Sequence, residues 1–328
     1  MTKYPSDENT SYVFLNGGLG NQLFGLAAAL YSSKRVMVLT GASVVNCRED
    51  GQPQIFNLRV DDVIKNKEIG FPARLIAKKV HNYLLTAGLN SRSGWLFRNS
   101  KGIVKFFKCF FAISSRNHSL IVSDSLGYTE IPRTGKKFLI GYFQSYKWLN
   151  DKKVENQMKN LFQDIDERIS PLIELAKASK PIVVHVRLGD YKLNPLIGIL
   201  PQSYFVKALE KVLSDLDPSE LCIWVFSDEP SLARERIPPE ISSYCRWISE
   251  EFDLSAEETL ALMRYGSDYV ISNSTFSWWA ATLTESSDAR VIYPKPWFAN
   301  GETPFELIPS NWIPISGHDR NETERTDK

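Results

Sequence analysis

The sequence predicts an α/β protein made of two doubly wound, Rossmann-like domains. Three observations lead there. The chain opens with SYVFL (11–15), a glycine-rich turn from Asn16 to Gly20, the helical NQLFGLAAALYSSKR (21–35) and the apolar run RVMVL (35–39), the beginning of a βαβ unit. Its second half alternates short apolar runs with helical segments. Those runs are almost continuously apolar, as strands of a parallel sheet covered on both faces are. A chain of 328 residues with 43% hydrophobic content is long enough for two such domains, each with its own core.

Taken in order, the first helix shows Leu23, Leu26, Ala27 and Leu30 at helical spacing. Residues 69–123 differ from the rest. Arg74, Lys78, Lys79, Arg92, Arg98, Lys101, Lys105, Lys108 and Arg116 are interleaved with Phe, Tyr and Trp, without one Asp or Glu. This insertion reads either as a helical hairpin with solvated lysines over packed aromatics or as a surface for an anionic membrane or a phosphate-bearing acceptor. Helices are expected at 151–163 and 166–178, and Lys180-Pro181 punctuates the chain. The N-terminal domain is therefore assigned to 1–170 and the C-terminal domain to 171–315. Within the latter, PIVVHVR (181–187), LCIWVFS (221–227), YCRWIS (244–249), YVIS (269–272) and ARVIY (289–293) read as strands. Helices near 202–216, 255–265 and 276–284 separate them, with right-handed crossovers. The polar residues 316–328 read as a frayed tail.

Composition excludes several functions. A net charge of +1 asks for no nucleic acid or other polyanion. Cys47, Cys109, Cys222 and Cys245 are too dispersed for a zinc knuckle or a redox pair, and are expected to be reduced. MTKYPSDENT lacks the features of a signal peptide, and no run of about 20 apolar residues offers a membrane span. The expected location is cytoplasmic. His81, His118, His185 and His318 are scattered, and no Asp-x-Asp closes a strand, so no metal site and no metal requirement is expected.

Four constellations follow strand ends, where open parallel sheets bind ligands. The first is Gly17-Gly18-Leu19-Gly20-Asn21-Gln22. Its glycines permit close backbone approach and its helix start suits a phosphate. Leu23 stands where the full dinucleotide fingerprint has a third small residue, so a purely structural turn is the competing reading. The second is His185-Val186-Arg187-Leu188-Gly189-Asp190-Tyr191. A fixed arginine there can meet the charge of a departing diphosphate. Alternatively His185 is a satisfied core histidine, and Arg187 a structural ion-pair partner of Asp190. The third is Ser227-Asp228-Glu229, where Asp228 either accepts from a nucleotide or caps a helix. The fourth is Ser272-Asn273-Ser274-Thr275-Phe276-Ser277, hydroxyls and N–H groups at a helix start. Trp278 and Trp279 follow it, read as core more than as sugar platforms.

In this order and spacing, GGLGNQLF, HVRLGDY, FSDE and SNSTFSWWAA, flanked by LALMRYGSDYVISN and VIYPKPW, resemble the α-1,2-fucosyltransferases of glycosyltransferase family 11, over roughly residues 12–300 except 69–123. The resemblance implies a GT-B arrangement of two domains facing a cleft. It implies GDP-fucose as donor, used without a cofactor, and inversion to an α-1,2 link on a galactose-terminated acceptor of an O-antigen or capsule. It also implies that Arg187 holds the β-phosphate with His185 in support. Ser274, Thr275 and Phe276, with Asn273 and Asp190, would serve the donor, and Asp228 the nucleotide. Gly18, Gly20, Asn21 and Gln22 would lie across the cleft. The family pattern has a second arginine where this chain has Leu188, so a donor contact is expected to be missing. No general base stands out among Glu49, Asp50 and Asp124. The basic stretch suggests a lipid-linked acceptor at the inner membrane face. A different nucleotide sugar, a nucleotide-dependent oxidoreductase and a silent nucleotide- or glycan-binding protein remain the alternatives.

Overall fold

The computed structural model describes residues 9–15, 17–39, 54–58, 63–65, 118–123, 126–214, 216–217 and 221–318. The chain forms two units. The first runs to Leu161 and includes Pro304–Ile308; the second comprises Phe162–Thr303 and the residues from Pro309 onward.

In the first unit, β1 (Thr10–Phe14) is a fully buried run. The glycine turn leads it into α1 (Leu19–Ser32), which buries Leu23, Phe24, Leu26 and Ala27. β2 (Arg35–Leu39), β3 (Val63–Lys65), β4 (His118–Val122) and β5 (Lys136–Ile140) complete a parallel sheet of order β3-β2-β1-β5-β4. Helix α2 (Lys152–Asn160) follows, its first turn capped by the Asp151 carboxylate. Sequence reasoning found only the first two of these strands. β4 lies inside the stretch read as an insertion. Its HSLIV pairs residue by residue with Lys136–Ile140, because the apolar run there completes the sheet. The remainder of that stretch, residues 69–117, lies outside the described residues.

One buried cation sits in this sheet. Lys137 has no exposed surface, and its Nζ donates to Asn9 Oδ1, Ser32 O and Ser33 Oγ, each at 3.0 Å. Among the described residues no carboxylate offsets the burial, which lowers its pKa from 10.5 to about 8. Below pH 8 the lysine carries its proton in both the folded and unfolded chain, and burial of the charge opposes folding. Between pH 8 and 10.5 only the unfolded chain keeps the proton, so stability rises with pH across this window. The expected result is a pH-dependent gain in urea-denaturation stability between pH 8 and 10 that Lys137→Met lacks. Parallel curves for the two proteins would remove Lys137 as its source.

In the second unit, α3 (Gln163–Arg168) and α4 (Ser170–Ser179) replace the single helix expected at 166–178. The break at Ile169 follows from Pro171, which fits only a helix's first turn. Both helices pack on α6 (Ala256–Met263), so the division lies at Leu161/Phe162, ahead of residue 170. The sheet comprises β6 (Ile182–Val186), β7 (Ile223–Ser227), β8 (Cys245–Trp247), β9 (Asp268–Val270), β10 (Val291–Lys295) and β11 (Ile313–Ser316). Its order is β11-β10-β9-β6-β7-β8, every pair parallel. The run YCRWIS gives only the short β8, and Ile248–Glu251 turns helical. β11 was not anticipated; it is an edge strand, where Pro314 is tolerated. Of the tail, residues 319–328 lie outside the described residues.

Two further helices cover the sheet. α5 (Gln202–Leu213) buries Tyr204, Phe205, Ala208, Leu209 and Val212 at helical spacing. The Tyr204 hydroxyl donates to Ile271 O at 2.6 Å, which satisfies it inside the core. α7 (Thr275–Thr282) starts at Ser274, whose hydroxyl accepts from Phe276 N at 3.3 Å. α6 starts with a complete capping box between Ser255 and Glu258. Cys222 and Cys245 are free thiols, and Cys47 and Cys109 lie outside the described residues.

Both sheets are parallel α/β assemblies, as the sequence predicts. The strand order turns back between β6 and β9 in the second unit; in the first, β1 is central, between β2 and β5. Carboxyl ends beside such a reversal are where open parallel sheets hold ligands.

Candidate functional site

The reversal in the second unit gathers two of the motifs. β6 ends in His185-Val186-Arg187, and β9 runs into Ser272–Phe276. His185 is 5% exposed, with Nδ1 2.7 Å from Ser272 Oγ and its ring 5.8 Å from that of Phe276. Burial, reinforced by the Arg187 charge, pushes its pKa down to about 3. The imidazole is therefore neutral at physiological pH. It holds the two motifs together and adds no positive charge of its own.

Arg187 supplies that charge. One terminal nitrogen lies 2.6 Å from Asp190 Oδ1 and the other 3.2 Å from Asp228 Oδ2, with the guanidinium 5.4 Å from the Tyr191 ring centre. Burial opposes its ionisation, but Asp228 and Asp190 outweigh that and raise the pKa further. The two carboxylates differ. The Asp190 side chain is 66% exposed and that of Asp228 is 22% exposed. An exposed pair contributes little, so a phosphate can take the place of Asp190 on the guanidinium at small cost while Asp228 continues to aim it.

Asp228 has a second tie, accepting from Leu188 N at 3.0 Å. It is not a helix cap: the turn Pro230–Ala233 begins at Glu229, which itself makes no side-chain cap. A Cβ on Gly189 would lie 2.3 Å from Asp228 Oδ2 and would displace that carboxylate. Leu188 is 1% exposed and packs in the core with Val186, Leu200 and Tyr204. The position that carries arginine in the resembled pattern therefore faces apolar side chains in this chain. Lys192 pairs with Glu229 at the rim.

The α7 start is ordered from several directions. Asn273 is 1% exposed, and its Nδ2 donates to Ile197 O and Gly198 O, both at 3.0 Å. Its Oδ1 is buried without a hydrogen-bond partner. Tyr191 bonds Ser274, which ties the loop after β6 to the loop after β9. Thr275 and Phe276 are half-buried. Trp278 and Trp279 have no exposed surface, so they are core and not sugar platforms. Asp228, His185, Arg187, Asp190 and Asn273–Phe276 thus belong to one neighbourhood around a fixed guanidinium and a helix start.

Gly18, Gly20, Asn21 and Gln22 form a second set, at the carboxyl end of β1, the central strand of the first unit. Gly17 adopts φ +66°, where a Cβ would meet the Asn21 side chain at 2.7 Å. Gly18 precedes α1 without a side-chain cap, so the first-turn N–H groups lack that partner. Gln22 is fully buried and bridges Gly17 O at 2.9 Å and Ile55 N at 3.1 Å. Both ends of its amide brace the turn. Asn21 Oδ1 accepts from Gln144 Nε2 at 2.9 Å, and Gln144 Oε1 is buried without a partner. Sequence reasoning missed Gln144. The signal was a polar residue just past FLI, a run bounded by Gly135 and Gly141 and not recognised as a strand.

Glu49, Asp50 and Asp124 lie outside the described residues. Among the described residues, no group of three or more His, Cys, Asp or Glu stands ready for a metal ion.

The model for glycosyl transferase family 11 matches residues 10–312. The O-antigen biosynthesis glycosyltransferase WbnK of Escherichia coli is 28% identical over 92% of this chain and 99% of its own. An α-1,2-colitosyltransferase of Escherichia coli is 23% identical over 92% of this chain and 97% of its own. Among solved structures, the fucosyltransferase NodZ from Bradyrhizobium aligns over 85% of this chain and 94% of its own, with a TM-score of 0.47 and 14% identity.

Proposed function

The chain belongs to glycosyl transferase family 11, and from that premise we propose that it transfers L-fucose from GDP-fucose to the 2-hydroxyl of a galactoside in an O-antigen or capsule repeat. The observation that carries the reading is Arg187, held at the carboxyl end of β6 beside the α7 start. An acceptor hydroxyl attacks the anomeric carbon as GDP departs, in a single inverting displacement. Negative charge grows on the diphosphate as the bond breaks. Arg187 and the α7 N–H groups meet it where it develops. His185, being neutral, orients and does not compensate charge. These fixed charges support a reaction that needs no metal. Alignment of the two substrates supplies much of the remaining rate.

A second donor is favoured by one observation, the likeness to an α-1,2-colitosyltransferase. Colitose is L-fucose without its 3-hydroxyl, so the two donors share the GDP and most of the sugar. The test is a donor screen by nucleotide release, with GDP-fucose, GDP-colitose, GDP-mannose and UDP-galactose, each with a galactosyl disaccharide, with and without EDTA. EDTA-resistant release from GDP-fucose alone supports the first reading. Release from GDP-colitose alone transfers the assignment to the second. Release from none of the four defeats both.

The acceptor in this reading is lipid-linked, and the basic part of residues 69–123 that precedes β4 makes a peripheral contact with the inner membrane face. The basic and aromatic composition of that stretch supports it. Sedimentation with anionic vesicles checks this. Binding is expected to fall when Lys101, Lys105 and Lys108 become Glu; undiminished binding by that variant rules the contact out.

A further inference from the structure

Among the described residues of the first unit, one aromatic ring is largely exposed, and it stands on an unusual backbone. Phe305 is 67% exposed and is the exposed large hydrophobic residue among the described residues of that unit. Its segment is pinned from two sides. Phe305 forms a parallel bridge with Gly127. Tyr128 N donates to Phe305 O at 3.0 Å, and Tyr146 N to Glu306 O at 2.9 Å.

This pinning requires two left-handed residues. Gly127 has φ +140°, and a Cβ there would lie 2.6 Å from Phe305 O. Glu306 has φ +58°, a conformation disfavoured for a residue with a side chain. Strain of this kind persists where the surroundings over-determine it, and it collects at binding sites. Polar groups are fixed at the rim of the ring. Lys147 Nζ lies 3.0 Å from Glu306 Oε1, 4.8 Å from the Tyr128 ring centre and 5.8 Å from that of Phe305. The Tyr146 hydroxyl also bonds Glu306.

We propose that this patch is a saccharide subsite, in which the Phe305 ring takes the apolar C–H face of a pyranose and Glu306 and Lys147 take its hydroxyls. A pyranose such as galactose presents C–H groups on one face and hydroxyls around its edge. An exposed ring with a carboxylate and an ammonium at its rim matches both features. A membrane or a protein partner needs a wider apolar surface, which the described residues around this ring do not offer. The identity of the sugar, a residue of the acceptor glycan, rests on the transferase reading above.

The experiment uses the full chain and lactose as the probe, with saturation-transfer NMR for binding and initial rates for the acceptor KM. Phe305→Ala is expected to weaken lactose binding and raise its KM about tenfold, the value of one stacked ring. The KM for the nucleotide sugar should not move with it, and Phe305→Trp should restore lactose binding. Lactose binding by Phe305→Ala equal to the parent overturns the subsite. So does a patch that responds to anionic vesicles and not to lactose. If no donor turns over, Phe305-dependent lactose binding still upholds the subsite while the transferase reading fails. If turnover proceeds with a KM independent of Phe305, the transferase stands and the subsite falls.

Discussion

Arg187→Ala is expected to cut nucleotide release from the accepted donor by about 10²–10³-fold, the usual cost of removing one fixed group that meets developing charge. The loss should appear in kcat as well as in kcat/KM, because the guanidinium acts most strongly as the diphosphate departs. Arg187→Lys should recover only part of it. A lysine ammonium cannot span Asp228 and a phosphate with the planar fork that reaches both Asp190 and Asp228 here. Stability should change little by comparison. Asp190 is largely exposed, and Asp228 retains Leu188 N when the arginine is gone. A steady-state assay at saturating donor, paired with a thermal melt, separates the two effects. Parental turnover in Arg187→Ala would remove this arginine from the reaction.

The second large effect concerns stability. Arg264 follows α6, is 2% exposed, and bonds both Asp166 oxygens at 3.3 and 3.2 Å, Glu285, and Leu283 O at 3.4 Å. Its guanidinium lies 5.0 Å from the Phe162 ring centre. Arg264→Ala leaves the Asp166 carboxylate, whose pKa burial already raises against the lowering effect of Arg264, without its main counter-charge. It also opens a void beside Phe162. Breaking a buried pair on one side costs about 3–5 kcal/mol, and the lower end applies here because the Glu285 side chain is 39% exposed. The expected melting shift is on the order of 10 °C downward for a unit of this size. An unchanged Tm would mean that water reaches Asp166 once the arginine is removed.

The two effects trace to features of different legibility. Arg187 was visible in the sequence, as a basic residue closing a β-branched apolar run. Arg264 was not, although it stands in LALMRYGSDYVISN. Its partners are about 98 positions earlier and 21 later. Neither separation leaves a local pattern. Leu188 shows the same limit. By sequence it was a missing donor contact; in the fold its side chain lies in the core and its N–H holds Asp228.

The sequence by itself determined the parallel α/β class, the order of motifs, and the strand ends at which they stand. These are encoded locally, by apolar runs of period-two or continuous type and by glycine turns with helix starts after them. It did not reveal β3, β4, β5 or β11, since runs such as HSLIV and KKFLI become strands only through partners elsewhere in the chain. Nor did it show that Gln22 braces the turn through Ile55, that His185 is neutral against Ser272, or that Asp228 aims Arg187 and does not cap a helix. Each of these depends on strand order. The reversal between β6 and β9 places two loops side by side that lie some 87 residues apart in the chain. Burial and neighbouring charge, set only by that packing, then decide which polar groups are spent on the fold and which remain available to a ligand.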